Sequence, residues 1–330
     1  MILVLADFTD PWSILVHREL SNRGQEVFWI QPAQLLERIK LNWPVMCGSV
    51  IVQGTLYIDG RPIALSDLTG VLARVTLPFS LELQDLASPD RDYVVKETTA
   101  AWLGLLHAMP CPVVNRPVPG GRPTLLAGSP LLAECAQRCG FVLPPSRCTS
   151  SRPDAILQFS AWSERAYLKP LSSSEPGTFL QPHDGVEQIC RVMEQQAVSM
   201  QAIPEGQRVT VYVAGGEVAA TIVRADTAQT ASADMPFLPI QQCRELVQSL
   251  GLAFAECQLI VTREGPVYCL DVSAAPSFWR CPQEVQQQIV HMLAGYLSEP
   301  RSVPLHDSFD GTDGGSGVGQ PLCEIGFPEC

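Results

Sequence analysis

The chain has 330 residues, 46% of them hydrophobic and 17% charged, enough apolar material for two or three cored domains and too much for a disordered protein. Its 22 Lys and Arg stand against 34 Asp and Glu, a formal net charge of −12, which argues against an extended nucleic-acid surface built on clustered cations. Only Lys40, Lys96 and Lys169 are lysines, so chemistry that needs an ammonium has few places to go.

The first residues form a short apolar run that meets Asp7 at once, without a basic leader or a small-residue cleavage site. No stretch approaches the roughly 18 apolar residues of a membrane span. The 12 cysteines are scattered and include no C-x-x-C, so reduced, mostly buried thiols and a cytoplasmic location are expected.

Residues 2–6 read as a buried parallel strand. Asp10-Pro11 offers an N-cap and a first helical proline, and a helix is predicted over 12–23, stopped by Gly24. A second strand over 26–30 completes a β-α-β unit, the signature of a parallel α/β layer. Residues 50–58 and 61–64 around Asp59-Gly60 predict a hairpin. A strand over 71–75, a helix over 91–109 and a return to the sheet at 112–115 follow. The Pro- and Gly-rich stretch 116–123 marks a boundary.

Beyond it a helix is predicted over 131–139, ended by Gly140, then one near 154–159, a strand over 165–171, a polar loop over 172–177 and a helix over 185–199. From Gln207 strands take over. The alternation of 208–213 and 217–223 about Gly215-Gly216 is a hairpin, and a helix over 239–250, strands over 256–261 and 267–272, and a helix over 282–297 complete the body. Residues 304–330 carry five acids, no Lys or Arg and a Gly-rich run, the composition of a flexible tail, leaving the body near −7. That tail ends in Ile325-Gly-Phe-Pro328 flanked by Cys and Glu on both sides, which reads as a tethered ligand or fused substrate as well as plain disorder.

Four segments stand out in order: Val113-Val-Asn-Arg-Pro117; Tyr167-Leu-Lys-Pro170 with the loop to Gly177; 201–220, from Gln201-Ala-Ile203 through Gly215-Gly216; and Glu256-Cys-Gln-Leu-Ile260 with Leu270-Asp-Val-Ser273. Together they resemble the ATP-grasp superfamily, in particular its peptide-modifying branch of ribosomal-protein glutamate ligases and microviridin-type macrocyclases. The resemblance implies an α/β fold with an N-terminal parallel α/β domain at 1–116, two α+β subdomains at 117–200 and 201–303 that clasp nucleotide, and the tail at 304–330. It implies ATP and Mg²⁺ as cofactors and a ligase that activates a peptide carboxylate as an acyl phosphate. The expected partner is a peptide, its own tail among the options, with a homodimer as a further expectation.

By the same resemblance Lys169, Ser172, Ser173, Ser174, Gly177 and Gln201 bind nucleotide, Arg208 and Arg224 face the transferred phosphate, and Asp271, Gln258, Ser273 and Glu256 hold metal. Read as residues alone, the alternative for Lys169 is a solvated strand-end lysine, with motif context favouring the nucleotide; for the serines it is a polar turn, and for each arginine a surface ion pair. The sequence also departs from the family pattern. Ser129 stands where a phosphate-binding lysine is expected, Thr210 where an arginine is expected, and Gln258 and Ser273 are weaker magnesium ligands than carboxylates. Two functions follow: an ATP-dependent peptide ligase, or a peptide-binding or scaffold protein on the same fold that no longer turns over ATP.

Overall fold

The computed structural model describes residues 1–44, 53–75, 79–81, 83, 86–117, 129–163, 165–171, 176–194, 196–224, 238–262 and 265–299. The predicted tail and the serines at 172–174 lie outside the described residues.

The chain opens with strand β1 (Ile2–Ala6), helix α1 (Pro11–Asn22) and strand β2 (Val27–Ile30). Asp10 starts α1 by accepting from the Ser13 amide at 2.8 Å, and Gly24, at φ 69°, closes it in a conformation that costs glycine little. A short helix α2 (Leu35–Arg38) leads to β3 (Ile39–Asn42), β4 (Thr55–Ile58) and β5 (Arg61–Ala64), a small antiparallel sheet with its turn at Asp59-Gly60. Strand β6 (Gly70–Arg74), helix α3 (Ser88–Ala108) and strand β7 (Val113–Val114) complete a parallel sheet in the order β2-β1-β6-β7. β1 is buried on both faces, as its unbroken apolar run requires.

Next come α4 (Pro130–Arg138), β8 (Ser146–Thr149), α5 (Arg152–Ala161), β9 (Ala166–Pro170), β10 (Thr178–Leu180), α6 (Gly185–Val192) and β11 (Val198–Ala202). The strands form an antiparallel sheet in the order β10-β9-β11-β8. The helix predicted over 185–199 is corrected here: it stops at Val192, and Val198–Ala202 is an inner strand. Val198 and Met200 alternate with Ser199 and Gln201, so the period-two pattern wins once the helical stripe ends. Gly185 sits so close to Phe159 that a Cβ there would lie 2.2 Å from the ring.

The last section holds β12 (Gln207–Ala214), β13 (Glu217–Arg224), α7 (Ile240–Ser249), β14 (Phe254–Val261), β15 (Val267–Ser273) and α8 (Gln283–Ser298). Its antiparallel sheet runs β13-β12-β14-β15. One face, with Val209, Val211, Cys257, Leu259 and Val272, packs against Leu132 of α4 and Cys243 and Leu246 of α7. Helix α8 turns away from that layer. It joins Ile2, Val4, Trp12 and Val16 to Phe254, Phe278, Leu293 and Leu297 in one core, so the first and last described helices share an interior. No described helix is long and apolar enough to cross a membrane.

Candidate functional site

Strand alternation aims two polar faces at each other. On β9, Ala166 and Leu168 enter the core under α5 and α6, which turns Tyr167 and Lys169 to the opposite face. On β11, Ser199 pairs with Lys169 and Gln201 with Tyr167, which places both on that same face. The C-terminal sheet answers with two cross-strand rows, Thr210–Gln258–Asp271 and Tyr212–Glu256–Ser273, on the side away from α7.

The rows meet at a buried ion pair. The Lys169 ammonium donates to Asp271 Oδ1 at 2.9 Å and Oδ2 at 2.8 Å, with side chains 1% and 0% exposed. The Tyr167 hydroxyl donates to Asp271 Oδ2 at 3.0 Å and accepts from the Gly177 amide at 2.5 Å. Gly177 is required there, since a Cβ would lie 2.6 Å from the Leu168 carbonyl and 2.8 Å from the Tyr167 ring. Burial pushes the Asp271 carboxyl up from its ordinary value, while the Lys169 charge and hydrogen bond draw it back. Burial also holds the Tyr167 hydroxyl well above its ordinary value, and the Asp271 charge adds to that.

Around the pair, Glu256 accepts from the Ser277 amide at 3.2 Å and from the Gln258 side-chain amide. Burial raises its carboxyl above the ordinary value against those two bonds. Gln258 accepts from Thr210 Oγ1 at 3.1 Å, and Ser273 Oγ accepts from the Ala275 amide at 3.2 Å. Arg208, two residues before Thr210 and on its face, lies with its guanidinium 4.2 Å from the Phe179 ring centroid of β10. Arg224 pairs with Arg208 across β12 and β13, so its backbone reaches the same end of the sheet. Ser129 caps α4, accepting from the Leu132 amide at 3.1 Å. Ser172, Ser173 and Ser174 lie outside the described residues.

Sequence reasoning missed Tyr167, Ser199, Phe179 and Ser277. Tyr167 was within reach, because it precedes Lys169 by two residues on one strand. Ser199 was hidden by the mistaken helix over 185–199. Its Oγ and the Oε1 of Gln201 are buried, at 1% and 2% residue exposure, with no hydrogen-bond partner among the described residues. The orphaned Ser199 hydroxyl, on the face that carries a lysine, can donate to a phosphate oxygen, whereas the Gln201 amide oxygen is an acceptor and suits a hydroxyl or amino group of a ligand. The opposite sheet offers only oxygen donors, the type a hard cation takes, but no described group of three or more His, Cys, Asp or Glu could hold a metal. Asp271 and Glu256 are the only carboxylates in the two rows, and both oxygens of Asp271 are held by Lys169. The oxygen donors are of the chemical kind Mg²⁺ takes, and the Lys169 ammonium stands against the carboxylate a cation would need.

No protein-family model matches the chain, and no curated protein matches it. Solved structures do. The macrocyclase MdnC of Microcystis aeruginosa MRC, bound with precursor peptide MdnA, superposes with a TM-score of 0.63 at 16% identity over 90% of this chain and 99% of that one. An ATP-grasp ligase of Chryseobacterium gregarium, associated with ribosomally made peptides and in complex with ADP and a leader and core peptide, gives 0.58 at 15% identity over 90% and 96%. The ATP-grasp ligase PsnB complexed with minimal precursor, Mg and ADP gives 0.59 at 19% identity over 90% and 96%. The chain has the ATP-grasp fold.

Proposed function

We propose that this protein is an ATP-grasp ligase that activates a peptide carboxylate as an acyl phosphate for attack by an amine or hydroxyl. The observation that supports this reading is the meeting of Lys169 and Asp271 between two facing sheets, with the Ser199 Oγ, which has no partner among the described residues, beside them. The same fold carries a precursor peptide in MdnC and, in PsnB, a precursor with Mg and ADP.

When bound, ATP with Mg²⁺ supplies the phosphoryl group and the cation that neutralises charge during its transfer. In this reading Lys169, Ser199 and Gln201 hold the nucleotide, and Ser172, Ser173, Ser174 and Gly177 cover its phosphates. Arg208 and Arg224 steady the phosphoryl group in flight. Asp271 and Glu256 hold the metal, with Gln258 and Ser273 as neutral oxygen donors. The peptide is an external one or the chain's own 304–330 segment.

A second reading, a peptide-binding protein without turnover, is favoured by Thr210 and Gln258. They bond each other where a phosphate-facing arginine and a metal carboxylate were expected. Phosphate release from Mg²⁺–ATP, measured with and without acidic peptides, separates the two. Peptide-stimulated release that Lys169→Ala abolishes supports the ligase. Peptide binding with no release supports the second reading.

A further inference from the structure

Lys169 and Asp271 come from different sheets, and each is the charged partner of the other. Both Asp271 oxygens accept from the ammonium, and Oδ2 accepts from Tyr167 as well. We propose that this pair is an exchange site. The Lys169 ammonium is the resident counter-ion of Asp271, and a divalent cation gains Asp271 only when a phosphate-bearing ligand draws Lys169 away. The ligands named here rest on the ligase reading, whereas the exchange rests on the pair itself.

Three observations carry it. A dication beside a buried ammonium meets like-charge repulsion at low dielectric, so metal and Lys169 compete for one carboxylate. Glu256 can add a ligand but cannot take the place of Asp271, because it lies in the neighbouring row, with the Ser277 amide on one oxygen and the Gln258 side chain on the other. On the anion side, Ser199 lies directly opposite Lys169 in register, 1% exposed, with an Oγ that has no partner among the described residues. A phosphate oxygen can accept from that hydroxyl and from the ammonium together. The coupling is reciprocal: the factor by which the anion raises metal affinity is the factor by which metal raises anion affinity.

The test runs in both directions on the full chain. Mn²⁺ binding is followed by electron paramagnetic resonance, and AMPPNP binding in EDTA by calorimetry. Wild type is expected to bind Mn²⁺ poorly on its own, and Lys169→Met at least about tenfold more tightly, because the competing cation is gone. Asp271→Asn is expected to bind metal-free AMPPNP about tenfold more tightly than wild type, because the competing acceptor is gone. Wild type binding Mn²⁺ alone as tightly as Lys169→Met overturns the proposal. So does a folded Asp271→Asn that binds metal-free AMPPNP no better than wild type. If Lys169→Met does not fold, the Asp271→Asn arm decides. Both shifts without ATP turnover leave the exchange standing and remove the ligase; turnover without the shifts does the reverse.

Discussion

Asn115 and Phe254 exchange two hydrogen bonds across 139 residues of chain: the side-chain amide of Asn115 donates to the Phe254 carbonyl at 2.7 Å, and its Oδ1 accepts from the Phe254 amide at 2.8 Å. The same side chain donates to the Ala274 carbonyl at 2.8 Å and accepts from the Ala253 amide at 2.9 Å. One buried residue at the end of β7 thus fixes the start of β14, which carries Glu256, and the end of β15, which carries Asp271. Asn115→Ala orphans four backbone groups and is expected to cost about 2–4 kcal/mol, read from urea denaturation. An unchanged midpoint would refute this role.

The buried ion pair is expected to be fragile when halved and dispensable when removed whole. Lys169→Met alone leaves Asp271 uncompensated and should destabilise by about 3–5 kcal/mol. Lys169→Met combined with Asp271→Leu should recover most of that loss, since apolar residues of similar size often replace a buried pair without penalty. A double mutant no more stable than the single one contradicts this.

Glu256 sets a pH dependence. Its carboxyl is raised by burial, so its stabilising contribution is complete below the unfolded value and is lost as pH rises through the folded one. Glu256→Gln removes that loss. The stability difference between Glu256→Gln and wild type should therefore favour the variant more near pH 7 than near pH 4. Equal differences at the two values would show that Glu256 is not the titrating group.

Gln258→Asp with Ser273→Asn supplies the oxygen ligands that the family resemblance leads one to expect beside Asp271. Mg²⁺-dependent ATP hydrolysis should rise roughly tenfold, because an anionic ligand replaces a neutral one on a hard cation. If neither wild type nor this double mutant hydrolyses ATP or binds it more tightly with Mg²⁺, the second, non-catalytic reading holds.

At α6, Gly185→Ala should destabilise by about 1–3 kcal/mol, because its Cβ would overlap the fully buried Phe159 ring. The sheet behind that helix carries Lys169, so nucleotide affinity and the thermal midpoint should fall together. A midpoint that does not move would show that the ring yields at little cost.

The opening β-α-β unit was legible because Ile2–Ala6 is apolar without a break and Asp10-Pro11 announces a helix start. The hairpin of β12 and β13 was legible from strict alternation about Gly215-Gly216. β11 was not, because its five residues follow a helical stripe and alone are too short to overrule it. In the site, the common register of Gln258 and Asp271 could be read from period two on two adjacent strands. The bond from Lys169 to Asp271 could not, since it spans 102 residues and depends on how two sheets approach each other.

The core shared by α1 and α8 bears on how the protein is made. Gly70 of β6 lies against the Leu297 backbone, so close that a Cβ would sit 2.6 Å from that carbonyl. The first sheet therefore finishes its interior with residues translated more than two hundred positions later. A ribosome-bound chain holds Ile2, Val4 and Trp12 without their cover until α8 emerges, a long-range closure of the kind that folds slowly and leaves apolar surface for chaperones. Premature stops before residue 283 would release the first sheet with an open face.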